Sequence, residues 1–274
     1  MNTFIKVTFV ITFFFSVLCS CKKEELLSPN IVETQVTQAT LKLTAYLADK
    51  NNKDLIVFES GLGDSHEVWN TLLNELSSQF DVVAYDRAGY GKSVMNTNNR
   101  DITHLTNDLE VLINQVAKGR KVILVGHSLG GMIIRDYAVK HPAQTAALLF
   151  VDASHELYNQ PTQADEDKVY AVFKSTYGEN FGGTQEARQL LENSNYMAML
   201  PKLPNIPVVA ITSMKIDADH NAADRRRWYD SKEALKVGLS DFKHITTTKS
   251  GHYIMLEEPQ LVIENLKSLM NKLP

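Results

Sequence analysis

The residues most suited to chemistry stand in one short stretch, Gly126-His127-Ser128-Leu129-Gly130-Gly131, directly after the apolar run Val122-Ile123-Leu124-Val125. The four apolar residues predict a buried strand, and the spacing of Met132, Ile133, Ile134, Tyr137 and Ala138 predicts a helix after the break. Ser128 then sits at the apex of the turn. Glycines two residues before and after it suit that place, because strand and helix approach so closely that a Cβ at either would clash. A serine between glycines is often only a turn. The strand before it, the helix after it and the extra glycine at 131 favour a nucleophile, whose chemistry is attack on an acyl carbon after a base takes its hydroxyl proton.

A serine held this way needs a sheet beneath it. Continuous apolar runs at 55–58, 81–85, 146–151 and 207–212, with a further strand at 242–248, suit parallel strands covered on both faces. Residues 35–47 partly alternate and predict an antiparallel opening strand or hairpin. Asp101 to Ala117 carries Leu105, Leu109, Leu112, Ile113 and Val116 on one helical stripe, while Trp69, Leu72, Leu73 and Leu76 fall at helical spacing and read as core. A polar helix over 221–238 bears Trp228, and a last helix runs from Pro259 to Leu273. Strands alternating with helices predict an α/β architecture.

Three loops at strand ends sharpen the reading: Glu59-Ser60-Gly61-Leu62-Gly63, Asp86-Arg87-Ala88-Gly89-Tyr90-Gly91-Lys92-Ser93, and Ser250-Gly251-His252. With the serine turn, and in this order, they resemble the α/β-hydrolase superfamily in its esterase- or lipase-like branch. That resemblance implies a mostly parallel central sheet flanked by helices, with a small helical cap inserted at about 155–205. Within the cap, Gly178, Gly182 and Gly183 could act as hinges. It also implies that Ser128 is the nucleophile, His252 the base, and the N–H groups of Leu62 and Leu129 the oxyanion donors. The acid must lie between Ser128 and His252, and both Asp152 and Asp217 fit, each shortly after a strand. His127, although next to the serine, is not implied as base. The Asp86-Arg87 loop is implied as structural, and Gly89-x-Gly91-Lys92-Ser93 lacks the spacing of a Walker phosphate loop.

The expected activity is hydrolysis of a small or medium acyl ester through an acyl-enzyme, with no cofactor and no metal. An aminopeptidase, a thioesterase or a cofactor-free peroxidase would share every motif, and a non-catalytic lipid-anchored binding protein is the alternative from another class. Ser128 argues against epoxide hydrolases and haloalkane dehalogenases, whose nucleophile is a carboxylate.

Length and composition frame the rest. With 274 residues, 44% of them hydrophobic, the chain can build one large domain. A net charge of −4 with mixed signs leaves no basic footprint for nucleic acid. Arg225-Arg226-Arg227 reads as a solvated helix face. The two cysteines are Cys19 and Cys21, so the folded body carries no disulfide and no thiolate metal site. Residues 1–20 hold Lys6 and an apolar run too short to span a membrane comfortably, and Leu18-Cys19-Ser20-Cys21 resembles a bacterial lipobox. The expectation is a signal peptide over 1–20, lipidation at Cys21, a tether over 21–34 and a hydrolase domain over 35–274. The protein would be exported and membrane-anchored, facing the periplasm or the surface, with a small-molecule acyl substrate and an oligomeric state the sequence leaves unread.

Overall fold

A computed structural model describes residues 26–273, so the export signal and Cys21 lie outside the described residues. Among the described residues eight strands form one sheet in the order β1-β2-β4-β3-β5-β6-β7-β8. β1 (Val32–Gln38) and β2 (Leu41–Ala48) make an antiparallel hairpin, and β2 runs antiparallel to β4 (Asp81–Asp86). β3 (Asp54–Glu59), β4, β5 (Lys121–His127), β6 (Thr145–Val151), β7 (Val208–Ser213) and β8 (Phe242–Thr247) are parallel to one another. The apolar runs of β3 to β7 are continuous because helices cover both faces, whereas the edge strand β8 is only partly buried. On one face α2 (Ile102–Val116) and α3 (Leu129–Lys140) bring Leu109, Ile113, Ile133 and Tyr137 against Val57 and Leu124. On the other, α1 (Asn70–Leu76) and the last helix (Pro259–Met270) bring Leu72, Leu76, Val262 and Leu266 against Ile56 and Ile123.

The strand order reverses direction at β3, with β4 on one side and β5 on the other. Such a switch point opens a crevice at the carboxyl ends of its strands. The loops after β3 and β5 flank it, with Glu59 and Gly126 in register.

Between β6 and β7 lies the cap: α4 (Gln163–Tyr177), α5 (Gly182–Glu186) and α6 (Leu190–Ala198). Thr162 and Asp165 close the start of α4 as a reciprocal capping box, as do Asn221 and Asp224 for α7 (Ala222–Glu233). Val169, Phe173 and Ala187 form a small core of the cap's own, against which Leu62 of the body packs. Of the expected hinge glycines, Gly182 and Gly183 are packed too tightly to admit a Cβ, while Gly178 has open space and φ +85°.

Three expectations shift. β1 begins at Val32, and Leu27 and Ile31 already pack on the core, so the folded part starts before residue 35. The last helix ends at Met270, short of Leu273. In the Arg225–Arg227 run, Arg226 and Arg227 pair with Asp230 and Asp224 at the surface, whereas Arg225 is buried, its Nε donating to the Lys215 carbonyl at 2.6 Å. A helix face that packs on a loop must bury one residue of any such run.

Candidate active site

Ser128 joins β5 to α3 with φ +50° and ψ −119°, a conformation that costs an L-residue about 1–3 kcal/mol. The neighbouring glycines make the turn possible: a Cβ on Gly126 would lie 2.7 Å from the Gly130 carbonyl oxygen, and one on Gly130 would collide with the Glu59 carbonyl. Ser128 is half-buried, and its Oγ stands 3.4 Å from Ser154 Oγ.

Asp152 follows β6, is fully buried and also has positive φ, +42°. Its carboxylate accepts three hydrogen bonds. Oδ1 takes the Ser213 N–H at 2.9 Å and the Trp228 Nε1–H at 2.7 Å, and Oδ2 faces His252 Nδ1 at 2.7 Å. Burial raises this carboxyl's pKa, but the bonds from His252 and Trp228 and the charge of Lys232 outweigh it and hold it below the ordinary value.

His252 lies in the loop after β8 with 12% of its side chain exposed. A donor role for Nδ1 toward Asp152 leaves Nε2 as the basic nitrogen. Burial, and then the adjacent His127, lower its pKa further than the Asp152 contact raises it, so the ring is neutral at pH 7. The loop is fixed from several sides: Ser213 Oγ donates to the Ser250 carbonyl at 2.8 Å, and Ser250 Oγ donates to Glu258 Oε2 at 2.6 Å. His127 Nε2 lies 3.1 Å from the His252 carbonyl and its ring centroid 4.5 Å from that of His252. His127, the residue before Ser128, thus touches His252 directly.

The structure therefore brings Asp152 onto His252 beside the serine turn. Asp217 it places elsewhere. That carboxylate accepts from the backbone N–H groups of Asp219 and His220, meets His220 Nδ1 at 2.7 Å, and accepts from Arg225 Nη2 at 3.2 Å. Leu62 lies in the loop after β3 and Leu129 is the first residue of α3, in the two connections that flank the switch point. Among the described residues neither N–H meets a protein acceptor, and Gly61 packs so closely on the turn that a Cβ there would lie 3.2 Å from Ser128 Cβ. No group of three His, Cys, Asp or Glu side chains among the described residues is placed to hold a metal ion.

Two partners of this site carry little local signal in the sequence. Trp228, the large apolar residue of a polar helix, donates to Asp152. Lys232, one turn on and 1% exposed, lies with Nζ 3.0 Å from the Trp228 ring centroid, and burial drives its pKa well below the ordinary lysine value. A tryptophan in an otherwise mostly hydrophilic helix was the available signal.

A family model described as the alpha/beta hydrolase family matches residues 56–265. Over 213 residues the chain is 24% identical to the uncharacterized protein YqjL of Bacillus subtilis, covering 76% of this chain and 79% of that one. Over 170 residues it is 27% identical to a 2-(acetamidomethylene)succinate hydrolase of Mesorhizobium japonicum, covering 62% of this chain and 56% of the relative. The crystal structure of a hydrolase from Pseudomonas aeruginosa PA01 superposes with a TM-score of 0.70 at 17% identity, covering 89% of this chain and 99% of that one. At that identity the likeness is one of fold.

Proposed function

The chain belongs to the alpha/beta hydrolase family, and from that premise we propose that it is a serine hydrolase cleaving a small or medium acyl ester with Ser128, His252 and Asp152. The observation that carries the reading is the 2.7 Å contact of buried Asp152 with His252 beside the strained serine turn. His252 Nε2 removes the Ser128 hydroxyl proton and Oγ attacks the acyl carbon. The carbonyl oxygen turns negative and accepts from the Leu62 and Leu129 N–H groups, a pair of donors each worth about 10²–10³ in rate. The His252 proton passes to the leaving alcohol as its bond to the acyl carbon breaks. Water, deprotonated by the same nitrogen, then attacks the acyl-enzyme, and Ser128 leaves with the proton back on Oγ. Asp152 stays ionised throughout, fixing the ring and stabilising the imidazolium.

An aminopeptidase or thioesterase would use the same atoms, so the substrate class is set by assay. A panel of p-nitrophenyl esters of rising chain length, with an aminoacyl amide and a thioester as controls, sorts them. Ester turnover above both controls is the expected result, and amide or thioester turnover alone would overturn the ester assignment. Leu18-Cys19-Ser20-Cys21 supports lipidation at Cys21 and envelope anchoring. Incorporation of labelled palmitate that a Cys21→Ala variant loses is the expected result, and unlabelled wild-type protein in the soluble fraction would contradict it.

A further inference from the structure

The region behind the proposed oxyanion loop contains a buried ionic network that reaches into the cap. Arg87, 1% exposed, donates from Nη1 to Glu59 Oε1 at 2.8 Å and to the Ser60 carbonyl at 2.7 Å, and from Nη2 to the Gly61 carbonyl at 2.7 Å. Its Nε and Nη2 also donate to the two carboxylate oxygens of Glu186 in α5, each at 2.9 Å. Tyr90 adds a second route: its hydroxyl donates to Glu186 Oε2 at 2.6 Å and accepts the Gly63 N–H at 3.1 Å. Residues 60, 61 and 63 are thus all tied toward one cap carboxylate. Leu62 lies between them.

We infer that Glu186 is a positioning residue for turnover: through Arg87 and Tyr90 it fixes the peptide that carries the Leu62 N–H, so that the cap sets the oxyanion donor as well as the substrate space. The inference rests on the serine hydrolase reading. A trans peptide is planar, with C=O and N–H pointing opposite ways, so an arginine gripping the Gly61 carbonyl turns the Leu62 N–H away from itself. Gly61 itself packs on the serine turn, where a Cβ on it would lie 3.2 Å from Ser128 Cβ. The bidentate fork restrains orientation as well as position. Packing links the same parts, because the Leu62 side chain joins the cap core and the Gly182 N–H donates to the Gly89 carbonyl at 3.0 Å, where a Cβ on Gly182 would collide with the Ala88 carbonyl. The α5 helix therefore cannot move without pulling on the loop at 88–90 and, through it, on residues 60–63.

Glu186→Gln keeps the volume and removes the charge, and Tyr90→Phe removes only the hydroxyl bridge. With p-nitrophenyl acetate, both variants are expected to lose about 10- to 100-fold in kcat, the range of a displaced catalytic group, with KM within about threefold and near-UV circular dichroism unchanged. The rate of fluorophosphonate labelling should fall in parallel. Folded variants with wild-type kcat, or with a change in KM alone, would overturn the inference and leave the hydrolase reading standing. If Glu186→Gln does not fold, Tyr90→Phe decides by the same measure. Wild-type protein that neither labels nor hydrolyses would remove both.

Discussion

Asp152 and His252 stand 100 residues apart in the chain and 2.7 Å apart in the fold, while Asp217, closer in sequence to that histidine, meets His220 instead. Asp152→Asn should therefore lower kcat by about 10³–10⁴-fold by presenting the wrong hydrogen-bond partner to Nδ1. Asp217→Asn should change kcat by less than about threefold, since its losses stay within its own turn. Steady-state ester hydrolysis by the two variants checks this, and the reverse ranking would move the acid to Asp217.

The pH dependence follows from the direction of the His252 shift. Burial and His127 hold its pKa below the ordinary histidine value of about 6.5, and the neutral ring is the working base. The rate should climb with pH through that lowered pKa and be level at neutrality. A kcat/KM profile with its midpoint above the ordinary value would contradict the burial argument. Stability moves in the same sense: the unfolded chain takes up protons at His252 and Asp152 at higher pH than the folded chain does, so acid favours unfolding.

Trp228→Phe keeps an aromatic ring beside Lys232 and removes the N–H that Asp152 Oδ1 accepts. A buried carboxylate that loses a donor should cost about 1–3 kcal/mol in urea unfolding. Turnover should fall with it, because Asp152 is then held by fewer bonds. A variant as stable as wild type would show that water replaces the indole.

Which parts of the molecule were legible beforehand follows the range of the interactions. The strands were legible because burial on both faces demands unbroken apolar runs. The serine turn was legible because its glycine requirement is met within five residues. The partner of His252 was not, since Asp152 and Asp217 both lie shortly after neighbouring parallel strands, at the same carboxyl edge of the sheet, and the packing of α7, which brings Trp228 to one and Arg225 to the other, distinguishes them. The Arg87–Glu186 contact joins body to cap across 99 residues, and a glutamate in a short cap helix carries no local signal of it. Arg225 read as solvated for the same reason, because only the fold shows which residue of an arginine run faces inward.

Gly130→Ala tests the close approach at the turn. Its methyl group would collide with the Glu59 carbonyl backbone, which cannot rotate away as a side chain could. The variant should lose about 1–3 kcal/mol or more, and its residual activity should be far below wild type in the fraction that remains folded. Full stability and activity would mean that strand and helix are further apart than described.

The central claim is that Ser128 is an activated nucleophile, and covalent labelling by a fluorophosphonate reads that directly. The wild-type protein should take up one label, located by peptide mass at Ser128, and Ser128→Ala should take up none while keeping its fold. Well-folded wild-type protein that resists the probe, or a label that persists in Ser128→Ala, would contradict the account.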